Sequence, residues 1–499
     1  MSFISLTFTA FFLIFISLYH LATRFKKNDL LVQQIILLTA SFVFYAFSDL
    51  RFLPFLLYII ALSYIGGLFC RNRILLAIFI LADLAPLLFF KYAPSDWHTH
   101  IIIPLGLSFF TFQSISYIAD CYTKKIEPER NLLTVAQFVS FFPVISSGPI
   151  QRAGNLIPQF KAVHHFEYDN ATNGMKLFAW GLFKKICIAD KIAVYVNFVY
   201  GNAGEQYGLA LLFATVLYSF QIFCDFSGYS DMAIGVARYM GFDAGKNFDH
   251  PYLSQSVGEF WRRWHISLSS WLRDYVYIPL GGSRVALPRI YANLFITFLV
   301  SGIWHGSTWN FVIWGLLHGF YQCVGRAAKP YLQKTNFSAF FKILVTFTLV
   351  SFAWIFFRAS NTNESFVIIK KMLHIPNELI QFLSMKNEIG IKETVRTMFT
   401  LVHNSCGGFK GMAKTFVLLG AFFLCEIVTL RKTGLELLRE KKTDIRWALY
   451  LICLLILLKK LPLTFSFEQQ KSSYSTNFSI FYCLHGDFYK KWDISKADL

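Results

Sequence analysis

Two histidines, His265 and His305, stand in a strongly apolar part of the chain, and each directly follows a tryptophan. An imidazole titrates near neutral pH, so it can take a proton from an attacking hydroxyl and return it to a leaving group. Ionisable side chains at membrane depth cost about 3 kcal/mol each unless they pair or line a cavity. We therefore expect these histidines to carry acid–base chemistry, held in place by the surrounding helices.

His305 is flanked by Gly302 and Gly306, with Trp304 and Trp309 nearby. Glycines allow another backbone or a substrate to approach closely. The alternative is a core histidine whose ring bonds a backbone carbonyl. The apolar setting and the two tryptophans favour a catalytic His305, with Trp304 as a candidate substrate contact.

His265 ends a run from Trp261 that we predict to be helical. On a helix, Trp261 and Arg262 would share a face with His265. Guanidinium groups beside aromatic planes suit anionic headgroups or phosphates, so Arg262 and Arg263 are candidates for binding the donor. The alternative is an amphipathic helix that only anchors in lipid headgroups.

A third polar group, Asp225, Tyr229 and Asp231, lies in the motif CDFSGYSDMAIG. Its carboxylates could orient a histidine or hold an arginine, and Asp231 is placed two helical turns from Arg238. The alternative is an internal ion pair that fixes helix packing. Both interpretations fit the sequence.

Other polar residues in apolar surroundings have structural interpretations. Lys184, Lys185 and Lys191, with Asp190, predict a patch at the cytoplasmic interface. His318 in GLLHGF predicts an interhelical hydrogen bond.

The composition is that of a membrane protein. Of 499 residues, 55% are hydrophobic and 15% are charged, against about 25% charged residues in soluble domains. The net charge of +18 comes from basic residues in short loops, which suits orientation and contact with membrane lipid better than binding nucleic acid. The nine cysteines show no metal-binding or disulfide spacing, so we expect no metal and no bound cofactor.

Apolar runs long enough to cross a bilayer recur along the chain and predict an all-α, polytopic membrane protein with roughly 11–12 transmembrane helices. A single domain covers residues 1–460, with a polar insertion at 361–413 and a tail at 461–499. The spans are placed at 3–22, 30–48, 52–70, 74–90, 101–119, 174–199, 206–224, 288–304, 308–326, 338–357, 414–430 and 446–458.

Three segments are too polar for simple spans and too apolar for loops: 138–152, 223–241 and 252–277. Broken helices are tolerated at membrane depth only where protein or a watery cavity surrounds them. We therefore expect re-entrant helices around a central funnel. Basic residues at 24–27, 71–73 and 123–130 mark alternate loops as cytoplasmic and put the N-terminus outside.

Five longer motifs lie between residues 105 and 319: SFFTFQSISYIADCY, FFPVISSGPIQR, CDFSGYSDMAIG, NFDHPYLSQSVGEFWRRWHISLSSWLRDYVYIPLGG and SGIWHGSTWNFVIWGLLHG. In combination they resemble the membrane-bound O-acyltransferase family, in the branch that acylates alginate, peptidoglycan and teichoic acid. The resemblance implies that His305 matches the family's catalytic histidine and His265 its second, histidine-or-asparagine position. It also implies a ring of helices around a thin centre, where a cytoplasmic donor meets an acceptor from the other side.

These expectations together predict an O-acetyltransferase of the bacterial inner membrane. Acetyl-CoA is the expected donor and an envelope polysaccharide, alginate-like or peptidoglycan, the acceptor, reached through an exported partner of the acetyltransferase or esterase kind. His305 would act as base, His265 would assist, and the acidic group would shape the funnel. The alternatives are a transporter or flippase of an acyl donor or lipid-linked sugar, and a scaffold that only recruits the exported enzyme.

Overall fold

The computed structural model describes residues 1–25, 30–92, 103–332, 334–335, 337–390, 417, 419–420 and 422–429. Most of these residues are helical and none of them forms a strand, which confirms the all-α prediction. The helices are α1 (Leu6–Phe25), α2 (Leu30–Ala46), α3 (Leu53–Phe69), α4 (Arg73–Tyr92), α5 (Leu107–Tyr122), α6 (Leu132–Ser140), α7 (Phe142–Ile145), α8 (Ala153–Phe160), α9 (Tyr168–Phe183), α10 (Asp190–Gly201), α11 (Gly208–Tyr239), α12 (Val257–Arg263), α13 (Ile266–Leu272), α14 (Leu287–His305), α15 (Trp309–Leu332), α16 (Ala339–Arg358), α17 (Thr362–Leu373) and α18 (Ile375–Ile389).

The predicted spans up to residue 357 correspond to helices of the structure. Among the described residues, five helices are long and apolar enough to cross a membrane: Leu50–Phe69, Arg73–Tyr92, Gly208–Tyr239, Leu287–His305 and Ala339–Arg358. The predicted span at 174–199 consists of α9 and α10, joined by a wide π-turn over Lys184–Ala189. The span at 414–430 is described only in part. The span at 446–458 and the tail at 461–499 lie outside the described residues.

The three segments predicted to be re-entrant differ from one another. The chain at 138–152 is broken as expected, because α6 ends at Ser140 and the short α7 begins with Pro143 in its first turn. Short helices and a π-turn fill 252–277. The prediction for 223–241 was wrong, since this segment is the second half of α11, one unbroken helix of 32 residues.

The glycines of α11 serve close packing and not a helix break. A methyl group on Gly228 or Gly235 would meet the backbone of α9 at Gly181 or Gly174, and the reverse holds for the α9 glycines. Small residues let transmembrane helices approach at backbone distance. The two helices therefore form a tight central pair.

Among the described residues, the buried apolar side chains form two cores, one mainly from α1–α8 and the other mainly from α10–α17. Trp304 belongs to the first core, whereas Trp314 and Phe357 belong to the second. The C-terminal end of α14 thus lies where the two cores meet, and this boundary holds His305.

Candidate active site

His305 is the last residue of α14, and its ring is enclosed by aromatic side chains. Ring centroids lie 4.7 Å from Trp304, 4.9 Å from Trp314 and 5.1 Å from Phe357. The residue is 7% exposed, and its Nδ1 has no hydrogen-bond partner among the described residues. A buried, unpaired ring nitrogen is expensive, which is more typical of a reacting group than of a core histidine.

The predicted glycines and tryptophans around His305 have distinct roles. A methyl group on Gly302 would overlap the backbone carbonyl of Phe311, and one on Gly306 would overlap its ring, so α14 and α15 meet at backbone distance. Trp304 is buried beside His305, as expected. Trp309 is 73% exposed and does not enclose the ring.

His265 does not lie on the helix predicted for residues 261–265. The helix α12 ends at Arg263, and His265 has φ 42° and ψ 56°, in the left-handed region that non-glycine residues rarely adopt. The prediction that His265 shares a helical face with Trp261 and Arg262 was therefore wrong. The strained backbone turns the His265 side chain inward, where it is 2% exposed.

Asn247 fixes the orientation of the His265 ring. The amide oxygen Oδ1 of Asn247 accepts the backbone N–H of Ser267 at 3.3 Å and the Ser267 hydroxyl at 2.9 Å. His265 Nδ1 lies 3.0 Å from the same oxygen, so it must carry the proton and donate it. The other nitrogen, Nε2, then bears a lone pair, and no residue in the described part of the chain bonds it.

Trp304 brings the two histidines into one site. Its ring centroid lies 4.7 Å from that of His305 and 6.5 Å from that of His265. Phe226 packs edge-on against His265 at 4.7 Å. The site therefore combines two buried imidazoles, each with one unpaired ring nitrogen, in an aromatic wall.

An aromatic stack leads away from this site along α5. Phe112 stacks on Trp304 at 5.3 Å and on Trp271 at 4.0 Å, and Trp271 lies 5.2 Å from Tyr275. The guanidinium of Arg152 sits 4.5 Å above the Tyr275 ring. The stack ends at a cation, and sequence reasoning missed Arg152 because its partners are more than 100 residues away.

The two arginines next to His265 in sequence do not join the histidine pair. Arg262 is exposed, and Arg263 pairs with Glu259 at 2.7 Å, one turn earlier on α12. Arg273 and Arg152 pair with Asp274 at 2.8 and 3.2 Å. The donor-binding role of Arg262 and Arg263 stays a prediction.

Asp225 and Asp231 pair with lysines. Lys185 lies 2.6 Å from Asp225 and its Nζ is 5.5 Å from the Tyr229 ring, while Lys184 lies 2.7 Å from Asp231. The predicted pairing of Asp231 with Arg238 is thus replaced by one with Lys184. These contacts join α9 to α11 and favour a role in helix packing.

The predicted surface patch at Lys184 and Lys185 was wrong, because both lysines are buried, at 4% and 2% exposure. The π-turn that begins at Lys184 turns both side chains towards α11. His318 forms the interhelical hydrogen bond expected of it, accepting the indole N–H of Trp261 at 3.1 Å through Nδ1.

A multi-pass α-helical membrane protein with paired buried histidines is the class that this fold and site define. Residues 3–363 match the model of MBOAT, the membrane-bound O-acyltransferase family. The chain belongs to this family, as its motifs indicated, and is an O-acyltransferase.

Named relatives show which reactions occur within the family. The chain is 35% identical to the peptidoglycan O-acetyltransferase of Helicobacter pylori, over 76% of this chain and 82% of that one. It is 37% identical to the probable alginate O-acetylase AlgI of Pseudomonas aeruginosa, over 76% of each chain. It is 30% identical to the teichoic acid D-alanyltransferase of Bacillus subtilis, over 56% of this chain and 76% of that one.

Proposed function

We propose that the chain transfers an acetyl group from a cytoplasmic thioester, with acetyl-CoA as donor, towards a polysaccharide of the bacterial envelope. It would do so in the inner membrane, with its N-terminus outside. The acceptor is an alginate-like exopolysaccharide or peptidoglycan, reached through an exported acetyltransferase or esterase-like partner.

The relatives support acetyl over D-alanyl transfer. The two O-acetylating relatives match 76% of the chain at 35% and 37% identity, whereas the D-alanyltransferase matches 56% at 30%. The names of the two O-acetylating relatives give different polymers, peptidoglycan and alginate, and this chain is almost equally identical to both. The proposal therefore keeps both polymers as acceptors.

The pairing of two buried histidines around Trp304 carries the proposal. His305 takes the proton of the attacking hydroxyl while the hydroxyl oxygen forms a bond to the carbonyl carbon of the thioester. The carbon–sulfur bond then breaks, and the thiolate leaves with the proton held by His305. Base catalysis of this kind contributes about 10²–10⁴-fold.

The remaining residues have supporting roles in this proposal. His265, held by Asn247, offers Nε2 as a hydrogen-bond acceptor that orients the hydroxyl. Arg262 is exposed and can reach donor phosphates, with Arg263 beside it. Asp225, Tyr229 and Asp231 support the site indirectly, through the ion pairs that join α9 to α11.

The experiment compares His305→Ala with wild type in cells that lack the native gene. We expect the variant to reach the membrane in normal amount and to leave the envelope polysaccharide without O-acetyl groups. The matched control is His165→Ala, because His165 is an exposed histidine and its variant should acetylate normally. Normal acetylation by His305→Ala would refute the assignment and favour a transporter or scaffold.

A further inference from the structure

Lys91, in the last turn of α4, is a buried lysine, and no described residue supplies a counter-ion. The residue is 5% exposed, and within the described ranges its Nζ has no hydrogen-bond partner. Nζ faces an aromatic ring, since it lies 5.4 Å from the centroid of the Trp304 ring.

The other buried lysines in the described ranges show how unusual this is. Lys184 and Lys185 are equally buried, and each holds a carboxylate within 2.7 Å. A cation–π contact recovers about 2 kcal/mol at a desolvated site, which is less than the penalty of several kcal/mol for burying an ion. Lys91 therefore destabilises the resting protein, and a role in the reaction accounts for its presence.

The position of Lys91 places it beside the reacting groups. The hydroxyl of Tyr92, the next residue, donates a hydrogen bond to the backbone carbonyl of Ile303, which fixes the end of α4 against the end of α14. Trp304, under the Lys91 ammonium, is adjacent in sequence to His305 and in ring contact with it. A substrate that reacts beside His305 could therefore supply the negative charge that Lys91 lacks.

We propose that Lys91 is a catalytic residue whose ammonium stabilises the oxyanion of the tetrahedral intermediate. As the acceptor hydroxyl bonds the thioester carbonyl carbon, the carbonyl π-electrons move to oxygen and its negative charge faces Nζ. His305 holds the hydroxyl proton meanwhile. When the carbonyl reforms, the carbon–sulfur bond breaks, the thiolate takes that proton, and Lys91 remains protonated throughout.

Lys91 suits this step because its Nζ is held in place over Trp304 before the reaction. A preorganised donor in a site without water is worth far more than one in solution, and removing such a donor typically lowers kcat about 10²–10³-fold. The proposal deepens the proposed acetyl transfer and rests on it.

The test measures thiol release from acetyl-CoA by the purified full-length protein, with water as the acceptor of the acetyl group. We expect Lys91→Met to lower kcat about 10²–10³-fold with KM changed less than about threefold. Lys91→Arg, which keeps a cation, should retain more activity than Lys91→Met. Arg73→Met, at the opposite, exposed end of α4, is the matched control and should be fully active.

Thermal stability separates catalysis from structure. Because Lys91 is buried and no counter-ion lies in the part of the chain that the structure describes, Lys91→Met should melt at the same temperature as wild type or higher. The proposal would be overturned if Lys91→Met keeps the wild-type kcat while His305→Ala is inactive. It would also be overturned if Lys91→Met loses activity together with a lower melting temperature. If His305→Ala is active and Lys91→Met is inactive, the assignment of His305 as the base is contradicted, whereas the assignment of Lys91 to the oxyanion is supported. A wild-type protein that releases no thiol would overturn both.

Discussion

Asn247 determines which nitrogen of His265 carries the proton. Its oxygen accepts hydrogen bonds from the backbone and side chain of Ser267, and this fixes the amide with its acceptor towards Nδ1 of His265. The proton on Nδ1 leaves Nε2 free towards the site. In the proposed mechanism, Asn247 is thus a positioning residue that acts through His265.

Replacing Asn247 should slow the reaction without changing donor binding. Loss of a buried hydrogen bond costs about 1–3 kcal/mol, so Asn247→Ala should lower kcat roughly 5- to 150-fold with little change in KM. Asn247→Asp keeps the acceptor oxygens and should retain more activity. Steady-state kinetics on both variants measure this, with Asn202→Ala, an exposed asparagine, as control. Equal kcat for Asn247→Ala and wild type would exclude the positioning role.

The two histidines could be predicted from sequence, whereas their partners could not. Each histidine follows a tryptophan in an apolar run, which is a local signal. Asn247 lies in the same long motif as His265, yet 18 residues separate the pair and no spacing rule links them. Lys91 ends an apolar span and resembles an ordinary interfacial lysine until the fold places Trp304 beneath it.

Helix contacts at backbone distance position the site at the next scale. A methyl group on Gly302 would overlap the carbonyl oxygen of Phe311, and one on Gly315 would overlap that of Phe298. These two glycines therefore set how closely α14 and α15 pack. Gly302 lies three residues before His305, so this contact also positions the histidine.

Gly302→Ala should push α14 away from α15 and displace His305. Overpacking of this kind typically destabilises by about 1–3 kcal/mol, so we expect a lower melting temperature together with reduced thiol release from acetyl-CoA. Gly325→Ala, on α15, is the control, because no atom lies within 4 Å of the added methyl group. It should melt at the wild-type temperature or slightly higher, since alanine favours helix. Full activity and stability in Gly302→Ala would contradict this role for the close contact.

Helix positions followed from hydropathy, but breaks in the helices did not. Gly228 and Gly235 indicated a break by soluble-protein rules, yet in α11 they allow contact with α9. Conversely, α12 ends before His265 with no glycine or proline in residues 259–265. Tertiary contacts from Asn247 to Ile266 and Ser267 hold the left-handed turn there.

The helices also determine which end of the molecule holds the site. Helix α3 packs antiparallel to α4, since Phe55 meets Phe90 and Gly66 meets Phe79. It packs parallel to α5, since Ser63 bonds Ser114 and Gly67 meets Tyr117, so α4 and α5 run antiparallel. The end of α5 therefore lies with the start of α4, about 30 Å along the helix from Tyr92. Tyr92 bonds the end of α14, so the turn after His305 and the loop after α5 face opposite ends of the protein.

Labelling from each side of the membrane tests this arrangement and the proposed orientation together. In a background without the nine native cysteines, Ser307→Cys and Glu127→Cys place exposed thiols after α14 and after α5. A membrane-impermeant maleimide should label Ser307→Cys in right-side-out vesicles and Glu127→Cys in inverted ones. The cysteine-free parent controls for background. Labelling of both thiols from one side would contradict the arrangement, and the reverse pattern would place the N-terminus inside. With the proposed pattern, the end of α14 would face the acceptor side, and the proposed cytoplasmic donor would approach the aromatic stack and His305 from the opposite side of the membrane.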